Sequence, residues 1–478
     1  MGFKYRELAD AYIADIRAGA LADGLRLPSI RTLSAQHGVS ITTALKTYEL
    51  LEAEGYLRAQ PQSGFFVRRR NAAAALREPS LPDFSPRSRS VDRAALIREI
   101  QHSANDTRRV PLGTVMLAPS LLPIEALQRS LVRSARRAFS TGSSAGSYGA
   151  ASGEPALLDA LRGHCADDGI HLGPDDLQIT NGCMNAVSLA IHAVTRAGDS
   201  IAIPSPCFSG QLQLLASLGR RAVEIPSTAS GIDLDSLEET IAAGHAQAVL
   251  VTANFQNPLG YCAMPEEKRR IASFGPRYGV PIIEDDVFAE CAHQSGPGAP
   301  RPLPIKCWDE GGYVLWCGSF SKTLAPGYRI GWCTPGRYTE ALRTLHLAEV
   351  LAVNSPLQLA LADFIHGGEY RRHLRRLRAA LGGQVDTLRA AVGRHFPATC
   401  RVTRPAGGYA LWVQLPPGGD GLRLYAAAKE NGINIVPGTV FSTRDLYRSY
   451  IRLNAGNPWS DELQIAVERL GKLVSALG

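Results

Sequence analysis

The stretch GSFSKTLAPGYRIGW, residues 318–332, brings Ser319, Ser321, Lys322 and Arg329 together behind the apolar run VLWC. A lysine at the end of a buried strand loses hydration. Its amine is then easier to deprotonate and becomes a nucleophile able to form an imine with a carbonyl. Four more apolar runs also end in polar residues. LQIT leads to Asn181-Gly182-Cys183-Met184, and SIAIP leads to Ser205-Pro206-Cys207-Phe208. AVLVT leads to Asn254-Phe255-Gln256-Asn257-Pro258, and VPII leads to Glu284-Asp285-Asp286. Gly182, Cys183 and Met184 open a helix and offer backbone N–H groups to a phosphate. Phe208 suits stacking on a ring. Asn257 suits a ring oxygen, and Asp285 a protonated ring nitrogen. One flat, cationic heterocycle with an aldehyde and a phosphate meets all of them. That molecule is pyridoxal phosphate, with Lys322 as its imine partner.

The elements that must position these groups follow from the pattern. From about residue 109, amphipathic helices such as 154–168 and 184–196 alternate with the short apolar strands. Such alternation predicts an α/β domain with a mostly parallel sheet covered on both faces. Ligands of such sheets sit at the carboxyl ends of the strands. Taken singly, each motif is bland: an Asp-Asp is usually a solvated loop and an Asn-Pro a turn. Ser319 to Lys322 also fits S-x-x-K, the serine-nucleophile motif of acyl hydrolases, but its companions S-D-N and K-T-G are missing from the sequence. Cys183 and Cys207 read as small packing residues.

Residues from about 110 resemble a fold-type-I aminotransferase of classes I and II. The matching motifs are Tyr148-Gly149 with Gly153, Asn257-Pro258-Leu259-Gly260, Glu284-Asp285-Asp286, S-x-S-K with P-G-x-R-x-G, and Tyr450-Ile451-Arg452-Leu453-Asn454. The resemblance implies that Ser319, Ser321 and Arg329 bind the cofactor phosphate and that Arg452 grips a substrate α-carboxylate. It also implies that Tyr148 reaches the phosphate of a neighbouring subunit, hence a homodimer. It further implies a large sheet domain and a small C-terminal α+β subdomain over about 371–478. Two positions depart from the pattern. Phe288 stands where aminotransferases of this fold carry a tyrosine whose hydroxyl bonds the ring oxygen. Met184-Asn185 replaces a polar pair in the phosphate turn. Without the phenol the imine is harder to deprotonate, which disfavours rapid transamination.

The first seventy residues differ in kind. Residues 5–19 align Leu8, Tyr12, Ile13 and Ile16, with Gly19 as a stop. Ser29 caps a helix that buries Ile30 and Leu33 and ends at Gly38. A third helix over ITTALKTYELLEAEGY turns Leu45, Tyr48 and Leu51 inward and stops at Gly55. This is a helix-turn-helix, whose second member would offer Ser40, Thr42, Thr43 and Lys46 to the major groove. YLRAQPQSGFFVRRR then reads as a hairpin wing turning at Gln62-Ser63-Gly64, with three arginines for phosphates. The segment closely resembles the winged-helix DNA-binding domain of the GntR regulators. That implies DNA contacts from Ser29, Arg31 and Gly64, alongside Thr42, Thr43 and Lys46. Ile41 stands where many members have arginine.

Charge is distributed accordingly. Residues 1–140 carry 21 Lys+Arg against 13 Asp+Glu, and the remainder 30 against 31, so the excess positive charge is N-terminal and suits a polyanion. The nine cysteines form no C-x-x-C pair or framework, which argues for reduced thiols in a cytoplasm and against a metal centre. No run of about 18 apolar residues suggests a membrane span.

A winged helix (1–70), a linker (71–108) rich in Ala, Pro, Ser and Arg, and an aminotransferase-like domain (109–478) together resemble the MocR regulators end to end. Three functions are compatible with this: a DNA-binding regulator sensing an amino-compound effector, a regulator sensing pyridoxal phosphate itself, and a working aminotransferase with an attached DNA-binding domain. Phe288 and the recognition residues favour a regulator.

Overall fold

The computed structural model describes residues 4–477 except 19, 23, 54–55, 61–63, 68–75, 83, 91–95, 101–105, 107, 141–147, 229 and 294–300. The chain divides into two compact units, 1–76 and 77–478.

The first unit has three helices, Lys4–Ala18, Ile30–His37 and Ile41–Ala53, followed by the antiparallel strands Leu57–Gln60 and Gly64–Val67. Ser29 Oγ accepts from Thr32 N at 3.2 Å, and Gly38 closes that helix at φ 60°. Ser40 Oγ accepts from Thr43 N at 3.0 Å and starts the third helix. The core joins Ile13, Ile16, Leu33, Ala44, Tyr48, Leu51, Leu57 and Val67. Leu45, expected inward, is exposed. The buried stripe of the third helix runs through 44, 48 and 51, one residue away from Leu45 around the helix. The expected stops at Gly19 and Gly55, the turn residues Gln62 and Ser63, and the arginines 68–70 lie outside the described residues.

The second unit is built on a nine-stranded sheet. Its order is Ser88–Arg89, Arg221–Thr228, Ser200–Ser205, Ala248–Val251, Ile282–Asp285, Val314–Ser319, Gly331–Thr334 and Gln178–Thr180, with Gly231–Ile232 pairing beside Arg221–Thr228. Pairings from Arg221–Thr228 through Val314–Ser319 are parallel, and the last two are antiparallel. The mostly parallel α/β sheet expected from the pattern is present. Four of its strands, Ser88–Arg89, Arg221–Thr228, Gly231–Ile232 and Gly331–Thr334, escaped the sequence reading. The last inserts between the LQIT strand and the lysine strand. Gly331 is required there, because a Cβ on it would approach the Gly182 carbonyl carbon to 2.6 Å.

Helix Cys183–Val194 covers one face through Ala186, Val187, Ala190 and Ile191 against Ile203, Leu250, Ile283 and Leu315. Leu157, Leu161, Leu361 and Phe364 pack with Ile179, Phe320 and Trp332 in a second core. The last hundred residues add an antiparallel sheet of Arg401–Val402, Ala410–Gln414, Tyr450–Asn454 and Val436–Pro437, with helices Gly421–Glu430 and Asp461–Leu477.

The linker expected over 71–108 is shorter than its composition suggests. Val402 N donates to Arg77 O at 3.0 Å, Ser80 N to Gln414 Oε1 at 2.9 Å, and Ser88–Arg89 joins the sheet edge. Backbone pairing needs no amphipathic signature, so a Pro- and Ser-rich segment can be docked while reading as irregular.

Candidate functional site

Lys322 ends the 3-10 turn Phe320–Lys322, which follows directly from the strand Val314–Ser319. Its Nζ donates to Val115 O at 2.8 Å and stands 5.5 Å from the Phe288 ring centroid. Burial, and then the charge of Arg452, pushes its pKa down to about 8. Lys322 lines a cavity of about 360 Å³ together with Cys183, Met184, Phe208, Asn257, Asp285, Ser321, Arg329 and Arg452. Nine of the residues picked from five separate strand ends and the late Arg452 motif therefore share one space.

Of the acidic triplet, only Asp285 lines that cavity. Glu284 accepts from Ile305 N and Lys306 N, and Asp286 accepts from Arg301, Asn254 and Trp316. Asp285 Oδ1 accepts from Cys183 Sγ at 3.1 Å and Val287 N at 3.3 Å, and Oδ2 accepts from Gln211 Nε2 at 2.7 Å. Desolvation raises its pKa despite these donors. None of the three donors is a cation, so a protonated ring nitrogen would restore its ionised form. Gln211 was missed in the sequence. Its only signal there is a glutamine in the Leu-rich helix Ser209–Ser217, where it is buried.

Arg329 sits at φ 53°, with Nη1 3.2 Å from Ser321 Oγ. Gly182, at φ 83°, opens the helix Cys183–Val194. A Cβ there would lie 2.5 Å from Arg329 Nη2, so glycine is needed to keep the guanidinium beside the helix N-terminus. Ser319 is set back from the wall: its hydroxyl donates to Ile330 O and accepts from Ser321 N, which caps the turn. Tyr148 is 84% exposed and lines no part of the cavity.

Arg452 is buried on the strand Tyr450–Asn454. Nη1 donates to Asn257 Oδ1 at 3.2 Å and Nη2 to Gly113 O at 2.9 Å, while Nε has no partner. Desolvation lowers its pKa to about 9. With its oxygen on Arg452, the Asn257 amide keeps its N–H₂ for a ring oxygen.

The residues present fit pyridoxal phosphate. Arg329, Ser321 and the helix N-terminus suit a phosphate, Asp285 a pyridinium, and Lys322 the carbonyl. The acyl-hydrolase reading fails on geometry, since the Ser319 hydroxyl is occupied within the turn.

In the first unit, Arg31, Ser40, Thr42, Lys46 and Gly64 are exposed, and Thr43 is half-buried. Ser29 and Ser40 both act as helix caps. Gly64 has φ 98°, a conformation that strains any other residue. Among the described residues no helix is long and apolar enough to cross a membrane.

Residues 4–67 match the bacterial regulatory proteins of the gntR family, and residues 121–470 match aminotransferase class I and II. The chain is 35% identical over 473 residues to the uncharacterized HTH-type transcriptional regulator YdcR of Escherichia coli, covering 98% of this chain and 99% of that one. YjiR of the same organism, also an uncharacterized HTH-type transcriptional regulator, is 34% identical, with 98% of each chain covered. Among solved structures, the kynurenine aminotransferase of Pyrococcus horikoshii superposes with a TM-score of 0.73 at 25% identity, over 80% of this chain and 95% of that one. The chain belongs to the GntR-type transcriptional regulators in which a winged helix is fused to an aminotransferase class I and II domain, the MocR architecture.

Proposed function

We propose that this regulator binds pyridoxal phosphate at Lys322 and senses there an amino compound, or the cofactor itself, changing how a homodimer holds its winged helices on DNA. The observation that carries this reading is the Phe288 ring beside the Lys322 amine, at the position where the aminotransferase resemblance implies a tyrosine. A ring carbon face accepts no hydrogen bond from the cofactor oxygen and does not stabilise the deprotonated linkage. Binding groups are retained while the proton-tuning group is lost, as suits a sensor.

When bound, the cofactor supplies an aldehyde that captures primary amines. The chain's own groups do the rest. Lys322 would hold the carbonyl, and its amine would be the group that an incoming amine displaces. Asp285, held by Gln211 and Cys183, faces the ring nitrogen. Arg452 takes a carboxylate. Tyr148, strongly exposed, is available to a second copy of the chain, which supports the homodimer. All nine cysteines are free thiols, in keeping with a reducing cytoplasm. A response on DNA requires that the effector bind two dimer arrangements with different affinity.

The test is footprinting upstream of the protein's own gene with and without pyridoxal phosphate, paired with a single-turnover transamination assay. A cofactor-dependent footprint with slow turnover is expected. Fast turnover without a footprint would favour the enzyme, a reading that the retained Lys322, Asp285 and Arg452 keep open.

A further inference from the structure

Two sets stand out in the lining of the Lys322 cavity, alongside uncharged residues such as Thr114, Ser209 and Thr252. One holds the groups assigned above to the cofactor. The other is Ile97, Ile100, Val115, Met116, Val436 and Val440, with Arg452 beside them. This apolar set comes from three distant places: the helical residues 96–100, the segment after Val110–Pro111, and the strand Val436–Pro437 with the turn Gly438–Phe441 that follows it.

The charges on this wall are few. Lys322 and Arg329 are committed to carbonyl and phosphate. Both oxygens of Asp285 already accept hydrogen bonds, from Cys183, Val287 and Gln211. That leaves Arg452, only 5% exposed, whose Nε has no partner. A guanidinium with one nitrogen wholly unpartnered and no acidic neighbour in contact is arranged for a carboxylate. Among the described lining residues no second cation remains for an acidic side chain, and no free carboxylate for a basic one. Burying an unpaired charge against six apolar side chains is strongly unfavourable, whereas covering them with hydrocarbon is favourable.

We propose, resting on the sensor reading above, that the effector is an α-amino acid with an uncharged, apolar side chain of about the size of leucine or methionine. Its carboxylate meets Arg452 and its amine takes the place of the Lys322 amine. Its side chain lies against Ile97, Ile100, Met116 and Val440. An ω-amino acid satisfies Arg452 equally but leaves this apolar wall bare, and so forfeits the burial.

The experiment uses the full-length holo-protein, with calorimetry and thermal unfolding as binding readouts and cofactor absorbance as a third. The ligands are leucine, methionine, aspartate, lysine and 4-aminobutyrate. Leucine or methionine should bind at least about tenfold tighter than the other three. Met116 is 49% exposed, so Met116→Arg adds a cation without opening a core. It should weaken leucine and strengthen aspartate by about tenfold each. Arg452→Gln should abolish binding of every ligand while cofactor absorbance persists. If aspartate, lysine or 4-aminobutyrate binds the unaltered protein as tightly as leucine, the side-chain class is overturned and the sensor reading stands. If Met116→Arg leaves the ranking unchanged, Met116 does not face the effector and the assigned wall is wrong. If no ligand changes any readout, the amino-acid effector is overturned, and the footprint with and without pyridoxal phosphate then decides the sensor reading separately.

Discussion

The Lys322 amine faces the Phe288 ring at 5.5 Å and reaches the Val115 carbonyl at 2.8 Å. The reactive nitrogen therefore rests between an aromatic face and a main-chain oxygen, with no phenol hydroxyl supplied by position 288. Supplying the hydroxyl by Phe288→Tyr should lower the pH at which the bound cofactor changes colour and speed single-turnover transamination by about a hundredfold, the low end for a positioned general acid or base. A spectroscopic pH titration of both proteins checks this. An unchanged midpoint would show that position 288 does not tune the cofactor linkage.

Lys322→Ala should remove covalent attachment altogether. Borohydride treatment followed by intact-mass analysis should yield a cofactor adduct in the unaltered protein and none in the variant. A reduced adduct in Lys322→Ala would mean that another lysine forms the linkage.

Cofactor capture should depend on pH through the same amine. Its pKa lies near 8, below the ordinary lysine value of 10.5, because burial and Arg452 disfavour the ammonium. Only the neutral amine attacks a carbonyl. Uptake by cofactor-free protein should therefore rise about tenfold per pH unit below pH 8 and level off above it. Stopped-flow absorbance measures the rate, and a profile still climbing at pH 9.5 would contradict the lowered pKa.

DNA affinity should be separable from the cofactor site. Arg31→Ala and Lys46→Ala should each weaken binding, and loss of a phosphate contact should lower the salt slope by about one unit. Neither should alter the cofactor spectrum. Fluorescence anisotropy across a salt series reads both quantities, and full affinity in both variants would remove them from the interface.

Behind the site, Arg301 bonds Asp286 at 2.6 Å and Glu290 at 3.0 Å, all three buried. Desolvation pushes Glu290 up, but Arg301, His164 and Arg378 together outweigh it and hold Glu290 below the usual carboxylate range. Arg301→Leu leaves two buried carboxylates without this partner and should cost about 3–5 kcal/mol of stability. Urea unfolding of the two proteins gives the difference, and a loss below about 1 kcal/mol would show that Arg378 and His164 compensate.

Much of the site was legible because its members follow apolar runs directly. A strand is recognised by local composition, and in a parallel sheet every strand delivers its last residue to the same edge. Lys322, Asp285, Asn257, Phe208 and Cys183 were found this way. Gln211, Val115 and Gly113 were not. Gln211 acts through its burial beneath Asp285, and the other two act through main-chain oxygens that any residue type carries.

What the sequence determined by itself was the two-part architecture, the winged-helix caps at Ser29 and Gly38, and the cofactor chemistry of the strand ends. All of these depend on residues close together in the chain, through periodicity, capping or a fixed strand-to-turn spacing. What only the tertiary structure decided was which of Glu284, Asp285 and Asp286 faces the cavity, the insertion of Gly331–Thr334 between two other strands, and the pairing of Arg77, Ser80 and Ser88–Arg89 with the large unit. It also decided that Ile97, Met116 and Val440 line the same cavity. Each of these depends on partners tens to hundreds of residues away, whose pairing leaves no mark on the local pattern.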